Sequence, residues 1–131
     1  MANYVLYTRE NGDELKLKIN SGRAVELEER FGASIPDKLK EIDRIGVAAE
    51  FVAAAVPDGD YDSRKKTALA IFDEMIAAGK TIQDYQFLIS DLLVKAGFLN
   101  GKAVETQKEL MRRAQDASEK LLADGITALQ N

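Results

Sequence analysis

At 131 residues the chain has the usual length of one domain and is too short for two ordinary ones. It contains no Cys and no His, which excludes thiol and imidazole catalysis, Cys-type zinc sites and redox motifs, and leaves only carboxylate, Lys, Tyr or Ser chemistry. The net charge is −4, with 8 Lys/Arg against 12 Asp/Glu in residues 1–60 and 10 against 10 in residues 61–131, so neither half has the cationic excess with which proteins neutralise nucleic-acid phosphates.

The first twenty residues predict a β-hairpin. Tyr4–Arg9 and Glu14–Ile19 flank Glu10-Asn11-Gly12-Asp13, and Asn-Gly suits the positive φ angles of a type I′ turn. Leu15, Leu17 and Ile19 alternate with Glu14, Lys16 and Lys18, giving one face to bury. A lone hairpin is marginal in water, so that face must sit on helices or on another chain.

Ser21 is the expected cap of a helix from Gly22 to Phe31, with Ala24, Leu27 and Phe31 as its stripe and Gly32 as its stop. Ser34-Ile35-Pro36-Asp37 is a start signal with Ser as N-cap and Pro in the first turn. Leu39, Ile42 and Ile45 then recur at spacings of three, with Gly46 as the expected break before the apolar run Val47–Val56. At ten residues that run falls short of the roughly 20 needed to cross a bilayer and predicts the most buried helix.

Pro57-Asp58-Gly59-Asp60 is the strongest break, and residues 57–62 form the one segment long enough to act as a hinge. A helix from Arg64 to Ala78 follows, capped by Asp62 or Ser63, with Ala68, Leu69, Ile71, Phe72, Met75 and Ile76 expected inward. Thr81-Ile82-Gln83-Asp84 opens the next helix, whose stripe is Tyr85, Leu88, Ile89, Leu92 and Leu93 until Gly97. The last helix, from about Lys102 to Leu122 or beyond, is long and charged. Its apolar stripe of Val104, Leu110, Met111, Ala114, Ala117, Leu121 and Leu122 is thin.

The expected fold is therefore mainly α (α+β), an N-terminal β-hairpin followed by a bundle of five or six helices. It forms a single domain over 1–131: the hairpin in 1–20, a helical core in 21–99, and a long charged C-terminal helix in 102–131 that is either mobile or shared with a partner. The N-terminus has no basic flank followed by an apolar run, so no signal peptide is expected. A soluble protein of the cytoplasm, without membrane contact, is the expectation.

Candidate chemistry has little support. Asp58-x-Asp60-x-Asp62 has the alternation of a calcium loop, but Ser63 stands where such a loop needs Gly and Leu69 where it needs Glu. Glu26, Glu28 and Glu29, and Asp73-Glu74, fall on faces expected to be wet. Arg64-Lys65-Lys66 and Arg112-Arg113 are expected to be solvated basic clusters. No glycine-rich phosphate cradle occurs, because Gly79, Gly97 and Gly101 follow helices instead of opening them. No catalytic residue, cofactor or metal is therefore expected, and surface binding is the function class that remains. Leu110, Met111, Leu121 and Leu122 are the expected partner-binding residues, because a helix with so dilute a stripe packs poorly in a self-contained monomer.

The passage Glu14-Leu15-Lys16-Leu17-Lys18-Ile19, Ala24-Val25-Glu26-Leu27-Glu28 and Phe31-Gly32 resembles the opening of tail assembly chaperones of long-tailed bacteriophages and prophages of Gram-positive bacteria. The likeness is clearest over residues 13–33 and extends more loosely to about Gly97. It implies a chaperone that coats the phage tape measure protein and keeps it soluble until tail tube protein polymerises around it, with a homo-oligomer as one expected state. The alternative is a small helical regulatory protein binding nucleic acid through the helix Thr81–Ala96. That helix carries Lys95 as its one basic residue against Asp84 and Asp91, poor chemistry for a major groove.

Overall fold

The computed structural model describes the backbone of residues 3–130 and the side chains of residues 3–117. Among these, an antiparallel hairpin of β1 (Val5–Thr8) and β2 (Glu14–Leu17) is followed by six helices: α1 (Ser21–Phe31), α2 (Ile35–Leu39), α3 (Ile45–Ala55), α4 (Tyr61–Ala77), α5 (Ile82–Lys95) and α6 (Gly101–Gln130). The chain divides into two compact units, one ending at Leu99 and one beginning at Asn100.

In the first unit the strands pair with Val5 opposite Leu17 and Tyr7 opposite Leu15. The turn is not type I′, since Gly12 alone of its residues has positive φ, at 92°. The Gly12 N–H donates to the Arg9 carbonyl at 2.9 Å and the Arg9 N–H to the Asp13 carbonyl at 2.7 Å. This is a three-residue loop closed by a left-handed glycine, in which Asn11 needs no left-handed conformation. Leu17 and Ile19 are buried and Leu15 packs against the core, so the alternating face of β2 rests on the helices.

The core is built around α3, where Ala48, Ala49, Phe51, Val52, Ala53, Ala54 and Ala55 are all buried. Its small side chains let other elements approach closely, and Leu27 of α1, Ile71 of α4 and Ile89 of α5 complete the cluster. The C-terminal carbonyls of so buried a helix have no water to accept from, and α3 has no basic residue in its last turn. Other elements supply the donors, as an unpaired helix end requires. Arg64 Nη1 reaches the Ala53 carbonyl at 3.1 Å, the Lys18 N–H reaches that of Ala55 at 3.0 Å, and Arg23 Nη1 reaches that of Val56 at 2.9 Å.

Several boundaries differ from expectation. Asn20, not Ser21, caps α1, accepting from the Arg23 N–H, and Asp60, not Asp62 or Ser63, caps α4, accepting from the Ser63 N–H. Ser34 caps α2 as expected, but the helix stops at Leu39. Lys38 to Arg44 then continue as tight turns in which Glu41 donates to Lys38 and Arg44 to Glu41. A spacing of three suits such turns as well as a helix, so Leu39 and Ile42 still pack on the core. Gly46 lies inside α3. Thr81 and Asp84 form the full reciprocal cap of α5, and Tyr85, Leu88, Ile89, Leu92 and Leu93 are buried as predicted.

The second unit is α6, opened by Asn100, whose Oδ1 accepts from the N–H groups of Lys102 at 2.9 Å and Ala103 at 3.2 Å. At about 1.5 Å of rise per residue, its thirty residues extend roughly 45 Å. Among the described residues, no helix is long and apolar enough to cross a membrane.

Candidate interaction surface

Of the residues expected to meet a partner, Leu110 is 58% exposed and Met111 is half-buried, adjacent on α6. Leu121 and Leu122 lie outside the described side chains. The flanking charges engage one another along the helix. Lys108 approaches Glu105 at 3.6 Å, and Arg113 Nε approaches Glu109 at 3.1 Å. Leu110 is thus an apolar side chain within a ladder of local ion pairs, an arrangement that leaves apolar area open between charges.

The first unit offers a second apolar strip. Leu69 and Ile76, expected inward, are 40% and 44% exposed. The face that α4 buries instead carries Arg64, Ala68, Ile71 and Met75, at spacings of four, three and four. Phe72 borders it, set edge-on to Tyr85 at 5.2 Å between ring centroids. The expected inward set was too wide for one helix face, and the narrower stripe that fits helical spacing begins at an arginine.

Arg64 is the residue that sequence reasoning placed wrongly. It is 4% exposed, pairs with Glu26 at 2.7 Å and donates to the Gly59 carbonyl at 3.2 Å as well as to Ala53. The guanidinium's donors, fixed in one plane, allow it to serve all three elements at once. The Arg64 hydrogen bond holds the Glu26 carboxyl below its ordinary pKa. Burial, with Arg64 as a like charge nearby, lowers the Arg23 pKa. Residues 57–62, expected as the segment long enough for a hinge, are tied to their neighbours: Asp60 caps α4, and Arg23 and Arg64 reach the carbonyls of Pro57 and Gly59. The spacing of Arg64, four before Ala68 and seven before Ile71, was the available signal.

A neighbouring group ties α1, α3 and α4 together. Glu50 accepts from the Tyr61 hydroxyl and from Lys65 Nζ, the latter at 2.6 Å, and its other oxygen faces Arg30 Nε at 3.8 Å. The Arg30 guanidinium lies over the Tyr61 ring, 3.1 Å from its centroid, a cation–π contact. Further along α4, Glu74 holds Arg9 Nη2 at 2.8 Å and accepts from the Glu10 N–H at 2.8 Å. Burial raises the Glu74 pKa, but these hydrogen bonds outweigh it and the carboxyl lies below its ordinary value. Glu74 and Arg64 are thus ion-pair partners held largely out of water and not wet charges, whereas Glu26 reaches Arg64 from a position that stays partly exposed.

A cleft of about 290 Å³ opens between the hairpin and the end of α4, lined by Tyr7, Thr8, Glu10, Glu74, Met75, Ala77, Ala78 and Lys80. Of its two carboxylates, Glu10 and Glu74, Glu74 is committed to Arg9. Among the described residues, no group of three Asp or Glu is placed to hold a metal ion. Comparison with protein-family models, curated proteins and solved structures gives no match to this chain.

Proposed function

We propose that this chain is a tail assembly chaperone of a long-tailed phage or prophage, which binds the tape measure protein and keeps it soluble during tail assembly, acting by surface contact and not by catalysis. The observation that carries the contact reading is Leu110, 58% exposed beside half-buried Met111 on a thirty-residue helix. A holding protein needs exposed apolar area between solubilising charges and a body that stays folded while it binds, and α6 and the α3-centred unit supply one each. The identity of the client rests on the resemblance over residues 13–33.

The cationic side chains support protein binding over the nucleic-acid alternative. Arg9, Arg30, Arg64 and Lys65 each face a carboxylate, and α5, the candidate recognition helix, buries its central stripe in the core. The experiment is co-expression with a phage tape measure protein, followed by pull-down. The wild-type chain is expected to retain the client in the soluble fraction, and a Leu110→Asp, Met111→Asp double variant to lose it while keeping the melting midpoint of the body. A double variant that still holds the client removes α6 as the contact.

A further inference from the structure

Hairpin hydrogen bonding fixes which backbone groups of the sheet face outward. Arg9 exchanges its bonds with the turn, donating to Asp13 and accepting from Gly12, so Arg9, Tyr7 and Val5 point their N–H and C=O groups at β2. In an antiparallel pair the intervening residues point theirs the other way. The outward set of the second strand continues into Lys18, the residue just after β2, and its N–H is indeed taken by the Ala55 carbonyl at 3.0 Å. On β1 the outward set is Leu6 and Thr8. Among the described residues, no backbone group of either donates or accepts across that edge.

Edge strands of native proteins are usually guarded by Lys, Pro or a covering element. Val5-Leu6-Tyr7-Thr8 contains no charge and no Pro, Leu6 is 50% exposed, and the cleft lined by Tyr7, Thr8, Met75, Ala77 and Ala78 opens beside this edge. We propose that the open edge of β1 is a docking site for an extended, uncharged segment of a partner protein, which adds as a third strand and places one apolar side chain in the cleft. Such addition draws affinity from main-chain hydrogen bonds and selectivity from a pocket for alternate side chains.

A second copy of this chain fits the same edge less well. Pairing β1 with β1 would present Val5 and Tyr7 of the incoming strand on the core face, and both are packed against their own core, leaving nothing to fill the cleft. Two outward-facing residues per copy also fall far short of the roughly 1,600 Å² that a stable dimer buries. The charges at the cleft suit an uncharged strand, because Glu74 is paired with Arg9 and the remaining charged lining residues, Glu10 and Lys80, are of opposite sign. This surface lies in the first unit and is independent of Leu110, so its test and that of the chaperone reading fail separately.

The probe is a fluorescent, N-acetylated and C-amidated eight-residue peptide alternating threonine and valine between terminal serines, added to the full chain. Amide exchange at Leu6 and Thr8 is expected to slow at least tenfold at saturating peptide, while that of Tyr7, already bonded to β2, stays unchanged. Thr8→Pro removes the outward donor without touching a hairpin bond, as edge positions tolerate, and is expected to weaken peptide binding at least tenfold. Thr8→Val retains the donor and is expected to bind like the wild type. The inference is overturned if millimolar peptide leaves the exchange of Leu6 and Thr8 unaltered, or if Thr8→Pro binds as well as Thr8→Val. It is equally overturned if raising the protein concentration alone protects the two amides, since the occupant would then be a second copy.

Discussion

The two units of the chain use the same charged residues for different ends. In the first, beside local pairs such as Lys38 with Glu41, ion pairs join residues far apart in sequence: Arg64 of α4 reaches Glu26 of α1, and Arg9 beyond β1 reaches Glu74 of α4. In α6, Arg112 and Arg113 meet Glu109 one turn away. A pair between elements fixes how they pack, whereas a pair one turn apart steadies a helix wherever that helix lies. The apolar side chains differ in the same way. The first unit buries Phe51, Ile71, Tyr85 and Leu92 completely or nearly so, while α6 spaces Leu110 and Met111 among alanines and charges and leaves Leu110 open. Within the first unit, large side chains and long-range pairs determine the packing, whereas the described part of α6 is steadied by pairs one turn apart and leaves Leu110 exposed.

The sharpest way to break this comparison is Arg64→Ala. Losing one side of a buried pair costs about 3 kcal/mol, the low end of the usual range because Glu26 is 41% exposed and can rehydrate. The urea midpoint is expected to fall accordingly, and a loss below 0.5 kcal/mol would show that the α3 carbonyls find other donors. Glu74→Gln keeps an acceptor for the Glu10 N–H but removes the charge that holds Arg9, and about 1 kcal/mol is expected by the same measurement. The smallest effect is expected in α6, where Glu109→Gln removes only local pairs. About 0.3 kcal/mol of helix stability is at stake there, read as a slight drop in far-ultraviolet helicity.

Acid acts on the same contrast. Glu26 and Glu74 both have folded pKa values below the ordinary 4.5, so their contribution is fully present above that value and is lost as pH falls through the folded values. Stability of the first unit is expected to be flat from pH 7 down to about 5 and to decline below about 4.5. The Glu74→Gln variant should show a shallower decline. An equal slope in variant and wild type would remove Glu74 from the account.

Much of the first unit was legible because local signals and burial agree there. Thr81 and Asp84 announce α5 by their spacing, and Tyr85, Leu88, Ile89, Leu92 and Leu93 are both periodic and large, so one pattern gave the helix, its start and its buried face. The misplaced features depend on tertiary partners. Arg64 looks solvated beside Lys65 and Lys66; its helical spacing to Ala68 and Ile71 hints at the buried face, but what makes an arginine stable there is the set of unfilled α3 carbonyls, which only the packing displays. Leu69 and Ile76 are apolar yet exposed because α4 is in contact along one narrow face. The α2 boundary was obscured because a spacing of three suits successive turns as well as a helix. The dilute stripe of α6 and the apolar Leu110 within it were readable from spacing alone, whereas the open edge of β1 depends on hairpin register, which only the turn geometry fixes.

The central claim is that α6 is the contact surface and the α3-centred unit the scaffold. Amide exchange measured across the whole chain, alone and bound to the tape measure protein, tests it most directly. The account predicts that binding slows exchange in α6 around Leu110 and Met111 at least tenfold while the amides of α3 keep their protection. Unchanged exchange along α6, with new protection confined to the first unit, would contradict it.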